Sequence, residues 1–180
     1  LDILGLSVHA AFFDYDKDGD LDCYILNNSI RSIGGYDLIE DQREIADPEG
    51  QGNKLLENRD GKFVDITQSA GIYSSKIGFG LGITLSDYNN DGWTDLFISN
   101  DFFEKDYLYV NNKDGTFSEE SENFFQSLSL GSMGADSSDL DNDLLTDLIV
   151  TEMLPKSLKR KKTKAIYESW DKYSLANSRG

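Results

Sequence analysis

The chain contains three copies of a nine-residue, aspartate-rich stretch, and each copy runs directly into a short apolar segment. The copies span residues 14–22, 87–95 and 139–147 and are called loop 1, loop 2 and loop 3. Oxygen-bearing side chains stand at positions 1, 3, 5 and 9 of each copy, and position 7 offers a backbone carbonyl. Calcium accepts six to eight such oxygens in a flexible cage, whereas magnesium demands a stricter octahedron and keeps its waters. The repetition therefore constrains both the architecture and the chemistry of this protein.

The predicted metal ligands occupy the same positions in all three loops. They are Asp14, Asp16, Asp18, Asp20 and Asp22 in loop 1, Asp87, Asn89, Asp91, Trp93 and Asp95 in loop 2, and Asp139, Asp141, Asp143, Leu145 and Asp147 in loop 3. At position 7 the expected ligand is the main-chain carbonyl, which is why Trp93 and Leu145 belong to the set. The sequence thus predicts up to three Ca²⁺ sites, and we expect calcium to be structural.

Two other interpretations of the loops fit the sequence less well. An EF-hand loop closes with a bidentate glutamate at position 12, between two helices. Here position 12 is Ile25, Ile98 or Val150, and the flanking segments are typical of strands. Merely acidic, solvated turns are the other alternative, but three copies with the same odd-position pattern favour metal binding.

The third loop departs from the other two at position 6. Gly19 and Gly92 occupy this position in loops 1 and 2, whereas loop 3 has Leu144. Glycine makes a sharp turn there without steric cost, and a leucine forced to positive φ would be strained by about 1 kcal/mol or more. We therefore expect loop 3 to be distorted or to bind metal more weakly.

The segments around the loops predict antiparallel strands. Short runs rich in β-branched and aromatic residues precede and follow each loop. After loops 1 and 2 the chain also carries an apolar run, an Asp-Gly pair (Asp60-Gly61 and Asp114-Gly115) and a second apolar run. Asp-Gly tolerates the positive φ of a tight turn, so each pair indicates a β-hairpin. Each repeat unit is therefore predicted to contain about four strands.

Repeated four-stranded units predict an all-β fold made of β-propeller blades. We expect a single segment over residues 1–180, with units at about 1–72, 73–122 and 123–180, the last incomplete. Residues 29–52 would form a surface insertion, and apolar positions from 166 to 173 are compatible with a short helix near the C-terminus. Because three blades cannot close such a ring, we expect further blades in the same polypeptide.

Composition limits the classes of partner. The formal net charge is −16, and 12 of the 33 acidic residues lie in the three loops. Nucleic-acid binding requires a basic surface, so no nucleic-acid partner is expected. No apolar stretch reaches the roughly 18 residues of a membrane span, so no membrane insertion is expected. Calcium is abundant outside cells, which favours an extracellular, cell-surface or periplasmic location.

At these residues the chain resembles the FG-GAP and VCBS repeats, the calcium-binding blades of integrin α-subunit propellers and of many secreted bacterial proteins. Its resemblance covers roughly residues 5–155 and rests on three segments: Gly78-Phe79-Gly80 with loop 2, residues 131–134 with loop 3, and the hairpin over residues 108–117. The run from Asp147 to Pro155 is also similar to bacterial homologues of cartilage acidic protein, which carry an ASPIC/UnbV module further along. The resemblance implies a propeller of the seven-bladed type, structural calcium, secretion, and cell adhesion or ligand binding.

Functional expectations follow from these patterns and from the resemblance. The first hypothesis is a scaffold that binds a protein or glycan ligand, with no catalytic residues. The alternative is a secreted enzyme acting on polysaccharides, for which the lone His9 is the available histidine. We expect His9 to be a packed or surface residue, Cys23 to be a small buried apolar residue, and the basic run Lys159–Lys164 to be a solvated face.

Overall fold

The computed structural model describes residues 3–29, 47, 50–76, 78–101, 104–129 and 131–152. The basic run Lys159–Lys164, the predicted helix over residues 166–173 and most of the insertion at residues 29–52 lie outside this part of the chain. Within it, ten strands and one four-residue helix are found. The predicted all-β class, with antiparallel four-stranded sheets resembling propeller blades, is confirmed.

The strands form three sheets in chain order, each strand antiparallel to its neighbours. Sheet 1 contains β1 (Leu6–Phe13), β2 (Asp22–Asn28), β3 (Lys54–Arg59) and β4 (Lys62–Asp65). Sheet 2 contains β5 (Gly80–Ser86), β6 (Asp95–Asn100), β7 (Tyr107–Asn111) and β8 (Phe117–Glu119), and helix α1 (Ser121–Phe124) follows it. Sheet 3 contains β9 (Ser132–Ser138) and β10 (Asp147–Glu152) among the described residues. Each aspartate-rich loop joins the first and second strands of its sheet, so strands flank all three loops, as predicted.

The two Asp-Gly hairpins differ in their turns. In sheet 1, Arg59 pairs with Lys62, and both Asp60 (φ 54°) and Gly61 (φ 81°) have positive φ, as a two-residue type I′ turn requires. In sheet 2, Asn111 pairs with Phe117, which leaves a longer connection. One extra residue in the second copy moves the pairing out of step with Asp114-Gly115, so the tight turn expected there does not form.

The first strand of every sheet carries a bulge at the same repeat position. The pairing register shifts between Ser7 and His9 in β1 and between Gly80 and Gly82 in β5. In β9 it shifts between Ser132 and Gly134, which pair with Glu152 and Thr151 of β10. A bulge bends and twists a strand locally. Its recurrence shows that the three sheets are copies of one backbone design.

Sheets 1 and 2 pack against each other through the main hydrophobic core, in which β5 lies beside β1 and β2. Sheet 1 contributes Tyr24, Leu26 and Leu55, and sheet 2 contributes Ile83, Leu96, Ile98 and aromatic side chains of β7. A Cβ at Gly80 would collide with Leu26, so glycine permits this close approach.

Sheets 2 and 3 meet through polar contacts. The Thr84 hydroxyl donates to the Ala135 carbonyl (2.9 Å), and the Ser86 hydroxyl lies 3.2 Å from the Thr146 hydroxyl. The Ser132 hydroxyl donates to the buried carboxylate of Asp106 at 2.6 Å. Hydrogen bonds made by polar side chains therefore define this junction.

On the face of sheet 1 that points away from sheet 2, the described apolar side chains are buried in β2 and β3 but exposed in β1. Cys23, Ile25 and Leu56 form a small cluster there with Phe63, and the burial of Cys23 confirms the prediction for this residue. Along β1, Leu6, Val8 and Phe12 are about half exposed. We call this surface the apolar flank.

Candidate metal sites

The three loops share one backbone conformation. Positive φ occurs at position 4 and position 6 of every copy: Lys17 (63°) and Gly19 (96°), Asn90 (56°) and Gly92 (86°), Asn142 (63°) and Leu144 (69°). Loop 3 is therefore not distorted by its leucine, contrary to that part of our expectation. Leu144 is 86% exposed, so no packing contact offsets the strain of its backbone.

Side-chain oxygens at the odd positions hold each loop in this shape. The backbone N–H of position 6 donates to the aspartate at position 1: Gly19 to Asp14 (3.1 Å), Gly92 to Asp87 (2.7 Å) and Leu144 to Asp139 (3.0 Å). The N–H of position 5 donates to position 3, and the N–H of position 7 donates to position 5, in all three copies. The same side-chain oxygens therefore accept hydrogen bonds from the same backbone positions in all three loops.

The aspartate at position 9 also connects its loop to the hairpin that follows. In loop 1, Asp22 accepts the N–H of Tyr15 (3.2 Å) and the N–H of Asn58 in β3 (2.8 Å). In loop 2, Asp95 accepts the N–H of Tyr88 (2.9 Å) and that of Asn111 in β7 (2.9 Å). These carboxylates tie each loop to the hairpin that follows. Sequence reasoning missed that role, although Asn58 and Asn111 occupy the same place in the two hairpins.

Carboxylate oxygens gather closely in two loops. Those of Asp14, Asp16 and Asp18 lie within 4.8 Å of one another, as do those of Asp139, Asp141 and Asp147. In loop 1, one oxygen of Asp14 and one of Asp20 are shielded from solvent and lack a hydrogen-bond partner in the structure. A shielded carboxylate oxygen without a donor is costly unless a cation neutralises it.

The electrostatics of loop 1 favour a cation. Burial raises the pKa of Asp16, and the neighbouring carboxylates of Asp18 and Asp14 raise it further, against a backbone hydrogen bond that lowers it. The pKa of Asp20 is raised as well, by desolvation and by the charges around it, Asp18 first and Asp60 included. Both pKa values are therefore raised first by desolvation and then by mutual repulsion among acids that lie close together.

Loop 2 has a different balance. The Lys113 ammonium lies 3.1 Å from the Asp91 carboxylate. Although burial acts in the opposite direction, the hydrogen bonds from Lys113, from the Trp93 N–H and from Asn89 hold the pKa of Asp91 below its ordinary value. A lysine from the β7–β8 hairpin therefore offsets part of the negative charge of this loop.

Loops 1 and 2 lie side by side. The Lys17 ammonium of loop 1 sits 4.4 Å from the ring centroid of Trp93 in loop 2. The Asn111 amide donates to the Tyr15 carbonyl of loop 1 at 2.7 Å. Lys17 thus points out of its own acidic loop and towards its neighbour.

His9 is exposed on β1, where its Nδ1 accepts the backbone N–H of Ile83 in β5 at 3.2 Å. It joins two sheets and lies at the surface, as expected. Among the contacts of the described residues, no nucleophile lies beside His9.

Asn27, the first residue of a glycosylation sequon, is buried. Its side-chain amide donates a hydrogen bond to the Gly52 carbonyl and accepts one from the Ser7 hydroxyl. This asparagine is a packing residue.

The sheets and their repeated loops define a repeat protein built from propeller-like blades. Residues 87–150 match the family model of the FG-GAP-like repeat. The match begins at the first aspartate of loop 2 and ends in β10, so this part of the chain, which contains loops 2 and 3, is similar to the FG-GAP-like repeat. No curated protein gives a match to the chain. Among the described residues, no helix has the length and apolar character needed to cross a membrane.

Proposed function

We propose that this protein is a calcium-stabilised FG-GAP repeat segment that acts as a binding or adhesion scaffold outside the cell. One observation carries the calcium proposal: three loops present the same oxygens in the same backbone frame, and loop 1 shields two carboxylate oxygens without a donor. Aspartate and carbonyl oxygens are the donor set that Ca²⁺ prefers. The residues present therefore fit this ion.

In each loop, the side chains of positions 1, 3 and 5 and the carbonyl of position 7 would hold the ion. Position 9 would contribute from its free lone pairs while it keeps its backbone hydrogen bonds. Bound calcium would offset the repulsion among the carboxylates and fix each loop between its two strands. Metal binding would then be linked to the stability of the fold.

The test is thermal unfolding with and without chelator. A ligand present at 100 times its Kd stabilises by about 2.7 kcal/mol, so we expect EDTA to lower the Tm by about 5 °C or more and excess calcium to restore it. Asp14→Asn keeps an oxygen for the Gly19 N–H but removes one charge, and it should reduce the response. An unchanged Tm in EDTA would contradict structural calcium.

The extracellular and adhesive parts of the proposal rest on the resemblance to integrin-α-like repeats, as does the narrower kinship with ASPIC/UnbV-associated proteins. A glycan and matrix-protein binding array, run in calcium and in EDTA, tests the scaffold role. Calcium-dependent capture of a defined ligand is the expected result. Turnover of a polysaccharide instead would favour the enzyme hypothesis.

We also propose that a further four-stranded sheet covers the apolar flank. In sheet 2, Ile83 and Leu85 on the corresponding face pack against sheet 1. In sheet 1, the residues at the same repeat positions are Ala10 and Phe12, and both are exposed. Because the same backbone position is covered in one unit and open in the other, the expected partner is another blade of the same kind.

A further inference from the structure

The hairpin turns that follow loops 1 and 2 carry residues of opposite charge. Asp60 in the β3–β4 turn and Lys113 in the β7–β8 turn each lie two residues after the asparagine that binds the position-9 aspartate. Both have positive φ, 54° and 67°. The two residues therefore occupy corresponding places in the repeat, one acidic and one basic.

These turn residues increase the difference in formal charge between loops 1 and 2. Asp60 and the sequence of loop 1 together contain six aspartates and Lys17, a formal charge of −5, and the Lys17 ammonium lies over Trp93 of loop 2. With Lys113, loop 2 holds three aspartates against one lysine, a formal charge of −2. Affinity for calcium in such loops rises with the charge of the ligand set.

Hydrogen bonding points the same way. Both oxygens of Asp91 have protein donors: the Trp93 N–H (2.9 Å) on one, and the Asn89 amide (2.8 Å) with the Lys113 ammonium on the other. To coordinate a dication, Asp91 must give up or share these donors. In loop 1 the Asp14 and Asp20 oxygens described above have no such donor.

We propose that the turn residue two positions after the hairpin asparagine sets the cation affinity of each loop. Asp60 strengthens loop 1, and Lys113 weakens loop 2 by acting as an internal cation that the metal must displace. Loop 1 therefore fills first and loop 2 only at higher calcium. This inference rests on the proposed calcium function, since it concerns the regulation of the same sites.

The experiment compares variants that remove each charge and tolerate positive φ. Lys113→Asn should raise the cation affinity of loop 2 about fivefold at low salt. Asp60→Asn should lower the cation affinity of the tightest site by a similar factor, because charges a few ångströms apart interact measurably near a protein surface. Terbium luminescence sensitised by Trp93 reports loop 2, with Trp93→Phe to assign the signal, and calorimetric calcium titration reports the tightest site. Both effects should shrink in 0.5 M salt, because the Debye length falls to about 4 Å and the charges are screened.

Lys105→Gln is the matched control for Lys113→Asn, because Lys105 pairs with Glu122 at 2.7 Å and its replacement also removes one positive charge. Affinities within twofold of wild type in both turn variants would overturn the inference, as would an equal effect of Lys105→Gln. If the wild-type protein shows neither calcium heat nor terbium luminescence, the proposed function itself fails. Wild-type binding with unchanged turn variants refutes this inference alone.

Discussion

Two junctions join neighbouring sheets, one between sheets 1 and 2 and one between sheets 2 and 3. They lie at corresponding places in the repeat but differ in the side chains that make the contact. At the first, apolar side chains from both sheets form a continuous core, and a glycine allows Leu26 to approach β5. At the second, serine, threonine and aspartate make hydrogen bonds. A repeat therefore fixes where neighbouring sheets meet but leaves the type of contact free.

One pair of corresponding residues differs in charge between the two junctions. Asn53 accepts the Asn27 N–H at 3.0 Å, and Asp106 accepts the Asn100 N–H at 2.8 Å, so the two side chains fill the same structural role. Asn53 is neutral, whereas Asp106 brings a buried carboxyl group to the second junction. We therefore expect the first junction to depend on apolar burial and the second to depend on pH.

The largest effect is expected at the first junction. Leu26 is fully buried, so Leu26→Ala should lower the free energy of unfolding by about 2–5 kcal/mol, from lost burial and the cavity it leaves. Ile149→Ala in β10 is the matched change at a half-exposed site and should cost much less. Urea unfolding measures both, and similar losses would remove the distinction between the two regions.

The second prediction concerns pH. Burial raises the pKa of Asp106 from 3.8 to about 6, and the charge of Glu152 adds to this, while hydrogen bonds from Ser132 and Asn100 act against it. Because the folded pKa lies above the unfolded one, the protonated acid is favoured in the folded protein. Its stabilising contribution is complete below about pH 4 and is lost as the pH rises towards 6. The loss amounts to about 3 kcal/mol at most.

Asp106→Asn should therefore raise the free energy of unfolding at pH 7.5 and leave it nearly unchanged at pH 4. An asparagine here still accepts the Asn100 N–H, as Asn53 does at the first junction. The converse variant, Asn53→Asp, should transfer the pH dependence to the first junction. Urea unfolding at the two pH values checks both, and a pH-independent effect of Asp106→Asn would show that its charge is not responsible.

The smallest effect is expected in loop 3, beside the polar junction. Leu144→Gly places glycine at a backbone position with φ 69° and should stabilise the protein by about 1 kcal/mol, because the side chain has no packing to lose. Gly92→Leu is the reverse change in loop 2 and should destabilise by a similar amount. Thermal unfolding in saturating calcium reports both; a loss of stability in Leu144→Gly would mean that the leucine side chain makes a favourable contact.

Local patterns in the sequence were sufficient to predict the sheets. Runs of β-branched and aromatic residues bounded by turn residues located the strands around every loop, and the Asp-Gly pair located the first hairpin, because these signals act within a few residues. The bulges were not predictable, since a register shift depends on the partner strand. The second hairpin turn differed because one additional residue changed the pairing of Asn111 with Phe117.

For the candidate sites, the sequence predicted the positions within each loop but not what surrounds them. Asp22 and Asp95 were predicted as ligands, whereas their hydrogen bonds with Asn58 and Asn111 became visible only in the folded hairpins. The contact between Lys17 and Trp93 joins residues of different repeats and has no local signature. Metal binding itself remains a prediction that the titrations above address.

The apolar flank has a practical consequence for handling this polypeptide in solution. A net charge of −16 keeps like-charged copies apart, even when each exposes Leu6, Val8 and Phe12. Added salt weakens that repulsion, and so would any dication that the loops retain. Light scattering during a calcium titration should therefore accompany every affinity measurement, so that self-association is not mistaken for binding.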